Sequence, residues 1–152
     1  MKRSHVQTFL PGLLSLAFNL PLALAGVHRG AYDTYVHIFF ADHYRLNWFE
    51  GREFRWYTGF SVTSYPPLVH QVIALLSWPL SAVSAWLTPP ASLPGLYRYR
   101  GEEIGYVVTL LAVLAAFPYA VRGFARIFVG PRAARWAGWL AIFCPAIGLA
   151  GW

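Results

Sequence analysis

Charge is what this chain has least of. Only 12% of its 152 residues are Asp, Glu, Lys or Arg, against 57% hydrophobic, whereas a water-soluble domain carries charge on roughly a quarter of its residues. That balance excludes an ordinary soluble globule, and it excludes disorder, which needs low hydrophobicity and high net charge. Cysteine is equally scarce. Cys144 stands alone, so neither a disulfide framework nor a dithiol redox centre is available. The net charge of +6 would suit nucleic acid, but the basic residues are scattered between long apolar runs, as membrane-flanking charges are. The expected partner is a lipid bilayer, not a nucleic acid.

What is present falls into blocks. Charges occur at Lys2 and Arg3, then from Arg29 to Glu103, then at Arg122, Arg126, Arg132 and Arg135. Between them, Val6 to Val27 is uncharged over 22 positions, Ile104 to Val121 over 18 and Trp136 to Trp152 over 17. At about 1.5 Å rise per residue, the first two runs match a hydrocarbon core about 30 Å thick. The expected fold class is therefore an all-α membrane protein, with transmembrane helices plus juxtamembrane helices in a large first outer loop. Its expected parts are a first span at 6–27, an outer loop at 28–103, a second span at 104–121, a basic cytoplasmic loop at 122–135 and an incomplete third span at 136–152.

The stretch Pro66 to Leu87 is long enough to span but carries His70, Ser77, Pro79, Ser81 and Ser84. If it crossed, the arginines of 122–135 would lie opposite Lys2 and Arg3, against the positive-inside tendency. The segment 28–103 holds six basic and six acidic residues, so it is neutral and suited to translocation. The preferred arrangement leaves 66–87 as a helix at the membrane face or packed on the bundle. Lys2, Arg3 and Ala23-Leu24-Ala25 also satisfy a cleaved signal peptide, but 22 residues is long for a signal core, and an anchoring span is preferred. Helices are expected over about 7–27, 32–46, 67–87, 104–127 and 134–152, with loops at Gly51, Gly59 and the Pro/Gly-rich 88–101.

Chemistry is expected in the loop. Asp33 and His37 are four apart, which places them one turn from each other on a single helix face, with Phe40 and Tyr44 continuing the row. At a helix start, Asp33 can accept backbone N–H groups as a cap, bind a divalent cation, or act as a base. Asp42 and His43 repeat the pairing on another face and are expected to be solvated. Neither pair supplies the three or four ligands of a transition-metal site. Further on come Trp48, Arg52, Arg55, Trp56, Gly59-Phe60 and Tyr65-Pro66-Pro67-Leu68, then His70. Rings stack on sugar faces and guanidinium forks grip phosphate, so Arg52, Arg55, Trp56, Tyr65 and His70 are the candidate substrate-binding residues. An interfacial aromatic belt would use the same residue types. Pro66 or Pro67 is expected to open the next helix, with His70 near its N-terminal end.

Taken together, the short basic N-terminus, the first span, Asp33-xxx-His37, Gly59-Phe60, Tyr65-Pro66-Pro67-Leu68 and the basic turn Arg126 to Ala134 resemble the N-terminal module of the multi-spanning GT-C glycosyltransferases. The resemblance is strongest to the bacterial membrane proteins described as related to 6-pyruvoyl-tetrahydropterin synthase, and it covers nearly the whole chain. It implies transfer of a sugar from a polyprenyl-phosphate donor to an acceptor on the outer face of the inner (plasma) membrane, with the N-terminus cytoplasmic. It implies that Asp33 is the catalytic base or metal-binding carboxylate, with Mg or Mn as the cation, and that His37 is a lesser catalytic partner. Such enzymes have more spans and further acidic residues in later outer loops, so this chain is expected to be a truncated module, inactive alone. The alternative is a non-catalytic integral membrane protein whose outer loop is an interaction surface. A transporter is disfavoured, because no ionisable Asp, Glu, Lys or Arg lies within 104–121 to form an ion path.

Overall fold

Proline and small residues punctuate a helical chain. The computed structural model describes residues 5–56, 59–65, 67–87 and 100–143. Among them are five α-helices: α1 His5–Leu24, α2 Tyr32–Leu46, α3 Pro67–Leu87, α4 Arg100–Ala125 and α5 Pro131–Leu140. Two short strands, β1 Arg52–Glu53 and β2 Phe60–Ser61, pair antiparallel with Arg52 opposite Ser61 and Glu53 opposite Phe60. The helical expectation is met over 32–46 and 67–87, and Pro67 opens α3 after the extended Tyr65. The expected 134–152 helix is corrected: it begins at Pro131 and ends at Leu140, residues 141–143 form turns, and 144–152 lie outside the described residues. Of the expected 88–101 loop, 88–99 lie outside them and Arg100 and Gly101 already belong to α4. The structure adds the two-stranded ribbon, which the loop reading of 28–65 did not contain.

The chain divides into two compact units, Met1–Tyr32 with Leu110–Trp152, and Asp33–Thr109. In the first, a proline leaves a carbonyl without its helical partner, and a side chain answers it. Pro118 has no N–H for the Leu114 carbonyl four residues back, and Ser15 Oγ donates to that carbonyl at 2.8 Å. Near Pro11 the Tyr119 hydroxyl accepts from the Gly12 N–H at 3.0 Å and donates to the Phe9 carbonyl at 2.9 Å. A Cβ on Gly12 would lie 2.9 Å from that hydroxyl, so the close approach requires glycine. On α5, a Cβ on Gly138 would lie 2.8 Å from the Pro118 carbonyl oxygen.

The second unit packs around α2. Val36, Phe40 and Tyr44 recur every four residues along one face and bury with Val62 and Ala74, flanked by Phe39, Trp48, Trp56 and Phe60. The helices α3 and α4 meet where Gly105 stands against Ile73, whose carbonyl oxygen would be 2.8 Å from an added Cβ. Gly59, at φ +110°, supplies the left-handed backbone that leads into β2 and that other residues rarely adopt.

Candidate functional site

The apolar face of α2 carries a histidine on its border. His37 is half-buried, and its Nδ1 lies 2.9 Å from Nε2 of His70 in the first turn of α3. His70 is fully buried, with Phe40, Tyr65 and Tyr44 rings 5.3, 6.2 and 6.5 Å from its own. Tyr106 of α4 stacks on His37 at 5.9 Å and its hydroxyl accepts from Thr34 Oγ1 at 3.2 Å. Asp33 lies in the first turn of α2 and is exposed. Because α2 begins at Tyr32, Asp33 sits inside the helix and Ala31 takes the cap position. Burial holds the His37 imidazole below the usual histidine value, and the Asp33 carboxylate pulls it partly back up. Two imidazole nitrogens at hydrogen-bond distance hold one proton between them. If His37 donates from Nδ1, its Nε2 is left as a base; if His70 donates, Nε2 of His37 carries the proton. The pair can therefore accept or deliver a proton beside an exposed carboxylate.

The other predicted residues separate into two groups. Trp56 and Tyr65 both lie on Phe40, at 5.7 and 5.3 Å between ring centres, so they share the aromatic wall that encloses His70. Arg52 is exposed on β1. Arg55 is already engaged: Nε and Nη2 donate to the two Glu53 oxygens at 2.9 and 2.6 Å, and Nη1 donates to Asp42 at 2.6 Å. Its guanidinium is pushed to a higher pKa, first by the hydrogen bonds to Glu53. Burial works against the Glu53 charge, but the Arg55 side chain and backbone N–H, with His43, outweigh it and bring the carboxyl down to about 2.

The expectation that Asp42 and His43 are solvated is corrected. Both are buried, Asp42 completely. Asp42 accepts from Arg45 at 2.9 Å as well as from Arg55, while the ring nitrogens of His43 meet Glu53 Oε2 and the Glu50 carbonyl, each at 2.9 Å. Arg45 also bonds the buried Glu102 of α4. Burying carboxylates is tolerable only when they are paired and hydrogen-bonded, and Arg45 and His43 of α2, with Arg55 just after β1, supply that pairing. Thr34, Tyr106, Arg45 and Glu102 were not singled out by sequence reasoning. Tyr106 sits in an uncharged run that reads as a span, so its hydroxyl was the available signal.

Among the described residues no three His, Cys, Asp or Glu side chains gather as ligands for a metal ion. Set against models of protein families, curated proteins and solved structures, the chain shows no match.

Proposed function

We propose that the chain is the N-terminal part of an integral membrane glycosyltransferase that moves a sugar from a polyprenyl-phosphate donor to an acceptor on the outer face, with Asp33, His37 and His70 as its acid–base centre. The observation that carries this reading is the 2.9 Å contact between His37 and His70, which joins two residues 33 apart in sequence one helical turn from an exposed carboxylate. In the reaction, the acceptor oxygen bonds to the anomeric carbon as the bond from that carbon to the phosphate oxygen breaks. The acceptor proton passes to Asp33 or His37, and polyprenyl phosphate leaves. Arg52 suits the leaving phosphate, since its guanidinium is exposed while that of Arg55 is committed to carboxylates. A divalent cation such as Mg or Mn would be held by Asp33 with waters and donor phosphate oxygens, because Mg is often bound through one or two carboxylates plus phosphates.

The membrane part of the proposal draws on α4. It is 26 residues long, and only 17% of its most apolar 18-residue window is buried. An apolar helix that is not covered by protein calls for another apolar cover, which lipid provides. Exposed Leu13, Phe18 and Leu24 on α1 point the same way. In the preferred topology, Gly95→Cys reacts with an impermeant thiol reagent in intact cells and Gly130→Cys does not. Labelling at position 130 in place of position 95 would mean that α3 crosses.

The catalytic assignment is tested with labelled polyprenyl-phosphate sugar in membranes holding the full-length protein. Asp33→Asn is expected to abolish transfer and leave insertion intact, and wild-type transfer by that variant would remove the assignment. Independently of turnover, polyprenyl phosphate binding should weaken in Arg52→Lys more than in Arg55→Lys. A second reading, the interaction surface, is favoured by Phe49, which is 97% exposed. It predicts that Phe49→Ser releases a protein partner while Asp33→Asn changes nothing.

A further inference from the structure

No acidic residue follows Glu103 in the sequence, yet four arginines do, at 122, 126, 132 and 135. Arg126, Arg132 and Arg135 are exposed, and none of them forms an ion pair with another described residue. Around them stand Phe124, Ile127, Phe128 and Trp136, between 66% and 73% exposed, with the Phe124 and Phe128 rings 5.1 Å apart. The chain turns sharply here. Ile127 and Phe128 N–H donate to the Phe124 and Ala125 carbonyls that end α4, and Gly130 leads into Pro131 at the start of α5. The buried positions of α5 are Ala134 and Gly138, four apart on one face. Its small residues therefore go inward, and the arginines and Trp136 are left outward. Arg132 also lies in the first turn of α5, where the helix dipole disfavours a cation, so local helix energetics do not account for it.

We infer that the α4–α5 turn, residues 122–136, is a docking surface for an anionic phospholipid leaflet. Lipid phosphates supply the counter-charge that residues 104–152 lack, and guanidinium forks suit phosphate oxygens. The same surface presents rings and aliphatic side chains, which a bilayer accepts just below its headgroups and which a nucleic-acid backbone would leave wet. A lipid surface satisfies both halves of the pattern. The inference does not use the Asp33 centre, and it requires only that this turn meets a membrane.

The test takes the full chain in detergent micelles, titrated with phosphatidylglycerol or with phosphatidylcholine, and counts retained lipid by native mass spectrometry. Each basic side chain near an anionic surface is worth about fivefold in affinity. The wild type is therefore expected to retain phosphatidylglycerol at least about tenfold more strongly, with the preference shrinking as salt is raised. Arg126→Gln, Arg132→Gln and Arg135→Gln combined should bring the two lipids close to parity, while the three Arg→Lys changes keep most of the preference. If the Gln variant fails to fold, the Lys variant and the salt dependence carry the test. Equal retention of the two lipids by the wild type overturns the inference. So does a preference that survives the Gln changes, or tighter binding of a single-stranded oligonucleotide than of phosphatidylglycerol. Carbonate extraction reads the spanning proposal separately: a chain extracted from membranes that still prefers phosphatidylglycerol loses the spans and keeps the docking surface.

Discussion

Each of the two units has its own kind of buried polar contact. In Asp33–Thr109, beside the hydroxyls of Thr34 and Ser77, it is a cluster of charges: Asp42, Glu53 and Glu102 are met by Arg45 and Arg55, with His43 among them. In the unit formed by Met1–Tyr32 with Leu110–Trp152, the hydrogen bonds between helices are neutral, from Ser15 and Tyr119 to backbone, at places where glycine permits close approach. Small residues and hydroxyl-to-backbone bonds are how helices associate in lipid, where the hydrophobic effect gives no preference for helix over lipid. A paired-charge cluster belongs where water and the aromatic wall of α2 share the work. Under the membrane proposal the two units meet different solvents, and the contrast is tested by breaking each unit at its own kind of contact.

The largest loss is expected in the charged unit. Arg55→Leu takes from the buried Asp42 and Glu53 their shared cation. The Arg55 side chain is 35% exposed and Arg45 and His43 stay in place, so the loss is expected at the lower end of the range for a fully buried pair, about 3–5 kcal/mol. Hydrogen exchange in detergent should show the ribbon and the C-terminal half of α2 losing protection, with α1 unchanged. Uniform loss across both units would mean that they unfold as one and that the division has no energetic meaning.

Next come the close approaches, where overpacking typically costs about 1–3 kcal/mol. Gly12→Ala drives a Cβ toward the Tyr119 hydroxyl and Gly105→Ala drives one toward the Ile73 backbone oxygen. A small part of the first loss should be recovered by Tyr119→Phe, which removes the nearest obstructing atom and leaves the Ala115 carbonyl oxygen and the ring edge, each 3.0 Å away. The second has no such relief, because the obstacle is main chain. Melting temperatures of the three variants separate these outcomes, and a Gly105→Ala chain as stable as wild type would show that α3 and α4 can slide apart.

Acid should act on one unit only. The Glu53 carboxyl is held near 2 in the fold against an ordinary value of 4.5. A depressed carboxyl contributes its full stabilisation above the unfolded value, and that contribution is lost as pH falls through the folded one. The charged unit should therefore weaken as pH falls from about 4.5 toward 2, and Glu53→Gln should flatten that dependence in an acid titration followed by near-ultraviolet circular dichroism. The neutral contacts of Ser15 and Tyr119 have no group that titrates there. Ser15→Ala is expected to cost only about 0.6 kcal/mol if the unit lies in lipid as proposed, the average of interhelical hydrogen bonds there.

Much of this contrast was legible before the structure. The uncharged runs marked α1 and α4, the Pro66-Pro67 pair marked the start of α3, and the row from Asp33 to Tyr44 marked one face of α2, on which Phe40 and Tyr44 are buried and Asp33 is exposed. What was not legible is long-range pairing. Asp42 and His43 read as solvated because Arg55, which pairs with Asp42, and Glu53, which pairs with His43, lie beyond α2 and no local spacing announces them; only Arg45, three residues from Asp42, was within local reach. The ribbon escaped because strands of two residues are too short to show alternation. His37 and His70 were each singled out, but nothing in the sequence brings them together. That contact depends on how α3 packs against the Phe40 face of α2.

The smallest expected effect on stability is the most informative for chemistry. Asp33 is exposed in the first turn of α2, where its charge is complemented only by the helix N-terminus, an interaction of about 0.3–1 kcal/mol. Asp33→Asn should therefore leave both units folded. Its effect should appear instead on His37, whose imidazole is already lowered by burial and is raised again by the Asp33 charge. Without that charge the folded value falls further, so neutral His37 persists to lower pH. If transfer requires a neutral His37, any residual activity in Asp33→Glu, which keeps the charge, should fall on the acid side where wild type does. In Asp33→Asn, the His37 titration followed by NMR should move to lower pH. A His37 titration unchanged by Asp33→Asn would show that the carboxylate and the imidazole do not communicate across the helical turn. The two histidines would then be a packing contact beside an ordinary surface aspartate.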